Sequence, residues 1–148
     1  MAKQTNDMHG LKVLLADTYA LYLKTQNYHW NVVGPQFHAY HVLFEEEYKE
    51  LQEAIDEIAE RIRTKGELSP GSFKEFNELK TINEAKSKID ALAMVKDLSE
   101  SHEKICKSLH ALLEEAKKDN DDVTQDLILE RMEYHEKTTW MLRSHLAN

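Results

Sequence analysis

One cysteine, Cys106, among 148 residues cannot close an internal disulfide. The fold therefore owes nothing to oxidising conditions, and a reducing cytoplasm is the compartment expected. Four glycines and two prolines leave few places to turn, and the chain is rich in Ala, Leu, Glu and Lys, which argues for long helices. No stretch approaches the ~18 apolar residues that span a bilayer, so no membrane partner is expected. The opening Met1-Ala2-Lys3-Gln4-Thr5-Asn6 lacks the apolar run of a secretory signal. No strand-like alternation persists, and no internal repeat or low-complexity tail is present. The formal charge of −8 disfavours a nucleic-acid binder, which carries a basic patch or stripe. An acidic balance suits cations better, although it also describes an ordinary solvated surface. The length fits a single domain over residues 1–148.

What is present is helical periodicity in four long segments. In the first, Leu11, Leu14, Leu15, Thr18, Leu21, Tyr22, Thr25 and Tyr28 mark one buried face, and Val33-Gly34-Pro35 ends it. In the second, Phe37, His41, Phe44, Tyr48, Leu51, Ile55, Ile58 and Ile62 form a seam, with Gly66 as a C-terminal cap. Residues 66 to about 88 are not periodic, but Ser72 with Glu75 makes a capping box for a short helix carrying Phe73 and Phe76. A third long helix is expected from about Asp90 to Lys118, with Val95, Leu98, His102, Ile105, Leu109, Leu112 and Ala116 as its seam. Asp122 with Gln125 can cap a fourth, running to about Leu146. Tight turns within each pair and a long crossover between pairs describe an all-α four-helix bundle of ferritin-like connectivity. A short extra helix lies in the crossover between helices two and three.

The second helix carries the chemistry. At about 100° per residue, Glu46, Glu50, Glu53 and Glu57 form a stripe nearly opposite the seam, and His41, Glu45, Asp56 and Glu60 fall between the two. Acids beside a core-facing seam call for a counter-charge, which a metal cation would supply. His41 and Glu45 lie one turn apart, as do Asp56 and Glu60. From His41 to Asp56, however, the helix rises roughly 22 Å, whereas ligands lie within ~2–2.6 Å of a metal. The two pairs of one chain cannot share an ion. An antiparallel partner across a two-fold axis would bring the His41 end of one chain beside the Asp56 end of the other. His29, across the short turn, could approach His41 in the same subunit. Imidazole with carboxylate suits iron, zinc or manganese better than copper(I). No histidine follows a Glu by three residues, so the usual intrachain di-iron pattern is absent. The zinc-protease His-Glu-x-x-His is absent too.

Each residue also has a plainer reading. His41 alone could be a hydrogen-bonded core histidine, as could His38, His102, His110 and His135. The Glu46–Glu57 stripe could be a solvated face, and Asp56 and Glu60 could pair with Lys or Arg on a neighbouring helix. Cys106 reads as a buried small hydrophobe, and Trp30 and Trp140 read as core.

The run Asn27-Tyr28-His29-Trp30-Asn31-Val32-Val33-Gly34-Pro35-Gln36-Phe37, then His41-Val42-Leu43-Phe44-Glu45, closely resembles the Dps family of mini-ferritins. Asp56-Glu57-Ile58-Ala59-Glu60-Arg61-Ile62 completes that signature, and the resemblance covers nearly the whole chain. It implies a hollow dodecamer in which Fe(II) is oxidised at two-fold interfaces, preferably by hydrogen peroxide, and stored inside as ferric mineral. Zinc or manganese could take the same ligands in isolated protein. It further implies that His29, His41 and Glu45 come from one subunit and Asp56 and Glu60 from its mate, with Trp30 beside the site as a redox-active neighbour. Glu45 departs from the Asp of many relatives. The resemblance also makes Asp121, Asp126 and Glu130 candidates for a pore that admits iron, although Asp121 and Asp122 could simply cap a helix. Glu46, Glu50, Glu53 and Glu57 become a candidate surface for nucleating mineral. Relatives that condense DNA often carry a lysine-rich tail. This N-terminus has one lysine, so DNA binding is expected to be weak or absent. The alternative function is a DNA-protecting nucleoid shell with little iron chemistry.

Overall fold

The computed structural model describes residues 6–147; the segment with Lys3 and the final Asn148 lie outside them. Among the described residues every regular element is a helix: α1 (Asn6–Asn31), α2 (Phe37–Thr64), α3 (Phe73–Leu79), α4 (Ala91–Lys118) and α5 (Asp122–Ser144). None is long and apolar enough to cross a membrane. α1 packs on α2 and α4 on α5, α1 also meets α4, and α3 rides on α1 within the crossover. This is the ferritin-like bundle expected from the periodicity.

The ends follow from local chemistry. Gly34 (φ +127°) turns the chain between α1 and α2, and Gly66 (φ +96°) ends α2. The Gly66 and Glu67 amides donate to the Arg63 and Ile62 carbonyls at 3.0 and 3.3 Å, a Schellman closure. Asn120 (φ 52°) closes α4 in the same way, its amide and that of Asp121 donating to Lys117 and Ala116. Ser72 and Asp90 cap α3 and α4 by accepting from the Glu75 and Ala93 amides. The cap of α5 differs from expectation by one residue: Asp121, not Asp122, accepts from the Thr124 amide.

The core runs through all four long helices, with Leu11, Leu21, Phe44, Leu51, Ile58, Leu98, Ile105, Ile128 and Leu142 among its fully buried members. Each such side chain contributes roughly 1.5–3 kcal/mol by leaving water. On α2 the buried arc is rotated from the expected seam. It centres on Tyr40, Phe44, Glu47, Leu51, Ala54 and Ile58, while His41, Tyr48 and Ile55 are half-buried and Phe37 is 42% exposed. The crossover is pinned by buried Asp17, which accepts from the Thr81 amide and hydroxyl and the Ile82 amide at 2.6, 2.7 and 3.1 Å.

Candidate metal centre

Two histidines clasp one another across the α1–α2 turn. His29 lies in the last turn of α1, where carbonyls have no helical partner. The His41 Nδ1–H donates to that His29 carbonyl at 2.7 Å, and the His29 Nδ1–H donates to the His41 carbonyl at 2.7 Å. The rings stack at 3.8 Å between centroids with 16° between planes. A carbonyl oxygen only accepts, so both imidazoles carry hydrogen on Nδ1. In the neutral rings both Nε2 atoms then keep a free lone pair, the condition for a metal ligand. Phe37 stacks on His41 at 4.9 Å, and Tyr48 meets the His29 ring edge-on at 5.2 Å.

Glu45, one turn beyond His41, is partly exposed and among the described residues pairs only with Lys49, at 3.2 Å. Asp56 and Glu60 are exposed, far along the same helix. Asp56 and Glu60 therefore stay apart from the His29–His41–Glu45 group within one chain. Among the described residues no three His, Cys, Asp or Glu side chains converge on one metal position.

The other candidates divide. Trp30 and Trp140 are 60% and 64% exposed, not core. Each lies two residues from a buried face, Tyr28 and Leu142, and so points about 200° away from it. Asp121 is committed to capping α5 and to ion pairs with Arg61 (2.8 Å) and Lys65. Burial works to raise the Asp121 pKa, but Lys65 and Thr124 override it and hold the carboxyl below its ordinary range. Its charge is balanced, whereas Asp126 and Glu130 stand exposed one turn apart. In the acidic stripe Glu50 binds Arg131, leaving Glu46, Glu53 and Glu57 to solvent. Cys106 is half-buried; burial first, then Glu136 and Glu103, push its thiol up to about 11.

The periodicity did not disclose a polar interior. Lys24 sits between Asp97 (3.3 Å) and Ser101 (2.7 Å), and the Tyr28 hydroxyl donates to Asp97 at 2.6 Å. The Arg131 guanidinium donates to His135 Nε2 at 3.1 Å, so the His135 Nδ1–H donates to His102 Nδ1 at 2.8 Å. Burial, then Arg131 and Lys24, lower His102 to about 3. Glu47 is buried among these helices, and burial followed by Glu46 raises it to about 8. The only signal for any of these was a charged or imidazole residue falling on a seam, as His102 did.

The sequence matches the ferritin-like domain family over residues 8–148. It is 39% identical to DNA protection during starvation protein 2 of Bacillus anthracis, with 99% of each chain covered. Dps from Staphylococcus aureus superposes with a TM-score of 0.95 at 34% identity, covering 100% of this chain and 99% of that one. The Dps protein of Vibrio cholerae superposes at 0.93 with 31% identity over 99% of both chains. It is described as a member of a broad superfamily of ferritin-like diiron-carboxylate proteins.

Proposed function

Since this chain belongs to the ferritin-like family and stands among its Dps proteins, we propose that it is a ferroxidase and iron store. Fe(II) is the substrate, bound at two-fold sites shared between subunits. The observation that carries this reading is the His29–His41 clasp, which fixes two imidazoles with both Nε2 lone pairs free. A ring held by its own Nδ1 hydrogen bond neither rotates away nor changes tautomer, so two Nε2 atoms are presented to a borderline cation.

Glu45 adds a carboxylate on the same edge, exchanging Lys49 for metal. Asp56 and Glu60 are supplied by the mate, because helical rise separates them from His41 by roughly 22 and 28 Å in one chain. The half-buried Tyr48 and Ile55 and the exposed Phe37 flank this arc, and a second copy of α2 would cover them. Hydrogen peroxide takes an electron from each of two Fe(II) ions and becomes hydroxide. The anionic carboxylates favour the more highly charged Fe(III). Ferric product hydrolyses inside a dodecameric shell, with exposed Glu46, Glu53 and Glu57 as nucleating groups and Asp126 and Glu130 drawing iron in electrostatically.

The name of the Bacillus anthracis relative raises DNA protection as a second reading. The charge of −8 per subunit favours a chemical route to protection, removal of iron and peroxide, over DNA binding. The test is Fe(II) oxidation followed optically with peroxide, in wild type and in His29→Ala/His41→Ala. Loss of oxidation in the double variant is expected; oxidation and storage at the wild-type rate would overturn the site. A gel shift across a salt series checks the rest, and tight, salt-sensitive retention of duplex DNA would revive direct binding.

A further inference from the structure

Four buried side-chain atoms inside the bundle have no hydrogen-bond partner in the protein. They are Glu47 Oε2 of α2, His102 Nε2 of α4, and Arg131 Nε and the Tyr134 hydroxyl of α5. Buried polar atoms of native proteins are nearly always paired, with protein or with ordered water. Glu47, His102 and Arg131 are 6%, 0% and 3% exposed, so bulk solvent does not serve them. The four belong to one cluster. The Arg131 guanidinium lies 4.8 Å from the centre of the Tyr134 ring, and the His102 and Tyr134 rings are 6.1 Å apart. Burial first, then the Glu50 and Glu47 carboxyls, raise the Tyr134 hydroxyl, which puts both acids near it. Thr138 is close as well but forms no hydrogen bond with it.

The chemistry of the lining selects the ligand. Arg131 directs its terminal nitrogens to Glu50 and to His135 Nε2. That contact leaves the His135 hydrogen on Nδ1, which donates to His102 Nδ1 at 2.8 Å. Neutral His102 then carries its own hydrogen on Nε2. The site thus offers two obligatory donors, His102 Nε2–H and Arg131 Nε–H, with an oxygen of the Glu47 carboxyl and a hydroxyl that plays either part. A metal ion would face two N–H donors and a guanidinium, and an anion would face the carboxyls of Glu47 and Glu50. Water donates and accepts at once, and brings no charge into a low dielectric.

We propose that Glu47, His102, Arg131 and Tyr134 enclose an internal hydration site in which ordered water joins α2 to α4 and α5. A buried water makes about three hydrogen bonds, so about one or two waters satisfy the four atoms. Water accepts from the two N–H groups and meets the Glu47 carboxyl and the Tyr134 hydroxyl with its own hydrogens. α2 packs chiefly on α1. The waters therefore extend the Glu50–Arg131 ion pair into a second junction between α2 and the α4–α5 pair. Every protein partner comes from one chain, so the site is complete before subunits associate and stands apart from the ferroxidase reading.

Two measurements on the assembled protein test this. A crystal structure that shows ordered water should place a water oxygen about 2.7–3.2 Å from His102 Nε2 and from at least one of the other three atoms. Oxygen-17 magnetic relaxation dispersion registers buried waters that turn with the protein, and comparing variants of one assembly cancels those trapped between subunits. Glu47→Leu withdraws the α2 partner and should lose such water from each subunit. Glu47→Gln keeps an oxygen at that place and should retain it. Tyr134→Phe keeps the ring and removes only the hydroxyl, so the remaining water should exchange faster. If Glu47→Leu does not assemble, Tyr134→Phe against wild type carries the comparison. A wild-type site without water density would overturn the proposal, as would an ion there identified by anomalous scattering. A dispersion that no variant changes would overturn it too.

Discussion

The proposed division of the site between two subunits leads to a complementation experiment with a numerical outcome. One variant lacks the imidazole end (His29→Ala/His41→Ala) and the other the acid end (Asp56→Asn/Glu60→Gln). Asp56 and Glu60 are exposed on α2 and remote from the clasp, so neither double change disturbs the other end. A two-fold pair made of either variant alone has no complete site. A mixed pair has one complete site, in which the imidazoles of the second variant face the acids of the first, and one site lacking both ends. Random pairing from equal amounts makes about half of the pairs mixed, so about one quarter of all sites are restored. Co-expression under two affinity tags, purification through both, and peroxide-driven Fe(II) oxidation measured per subunit give the readout. Selection through both tags requires only that a shell contain both variants, so the quarter remains the expected value in a large shell. Zero recovery in correctly assembled protein would refute a shared site, because an intrachain site gains nothing from mixing. Substantial activity in either variant alone would show that the removed residues are not ligands.

Three further outcomes are expected. Leu51→Ala, at a fully buried position in mid-α2, should cost about 2–5 kcal/mol in urea unfolding; a loss within ~0.5 kcal/mol would mean that the site is solvated. The His102–His135 pair is held neutral, burial first and then Arg131 and Lys24 lowering His102 to about 3. Unfolded histidines titrate near ~6.5, so below that pH the unfolded chain binds more protons. Stability should fall from ~6.5 toward 3 by up to about 1.4 kcal/mol per pH unit for each histidine, and unfolding curves flat between pH 7 and 4.5 would contradict this. Asp121 has a folded pKa below its unfolded value of ~3.9. Its contribution is full above that pH and is lost as pH falls through the folded pKa. Asp121→Asn should therefore cost about 1.5–3 kcal/mol at pH 7, the range for hydrogen bonds to charged groups, and should shallow the acid limb of a stability–pH profile.

Much of the fold could be read from periodicity because its helices are long and amphipathic. The buried α1 face at Leu11, Leu14, Leu15, Thr18 and Leu21 is found as expected, and Gly66 and Ser72 stand at the expected ends. The α5 cap slipped by one residue because Asp121 and Asp122 are chemically alike, and only the Schellman closure through Asn120 selects the first. The two tryptophans were read from residue type rather than from position, although the helical wheel already placed them opposite Tyr28 and Leu142. The interior ion pairs were beyond local pattern altogether. Lys24 reaches Ser101 and Asp97, and Arg131 reaches Glu50, across separations that a seven-residue repeat does not register. At the candidate site, spacing indicated that His41 and Asp56 belong to different half-sites. The tautomers depend on the path of residues 32–36, which brings the two carbonyls to the opposing rings.

The charge distribution explains why metal chemistry would leave the interior of this bundle. Inside, Lys24 faces Asp97 and Arg131 faces Glu50. His102 stays neutral, and Glu47, pushed to about 8, stays protonated near neutral pH. Such an interior is balanced without a metal, and a cation placed there would add uncompensated charge in a low dielectric. The outer arc of α2 is the reverse case. Among the described residues Glu45 pairs only with Lys49; Asp56 and Glu60 are exposed farther along the helix, and two imidazole rings are held fixed at the Glu45 end. A cation would stabilise that arc, but one chain alone would not complete its coordination. The proposed site thus couples two equilibria, since iron bound across the interface holds the subunits together and association raises affinity for iron. By linkage each must strengthen the other by the same factor.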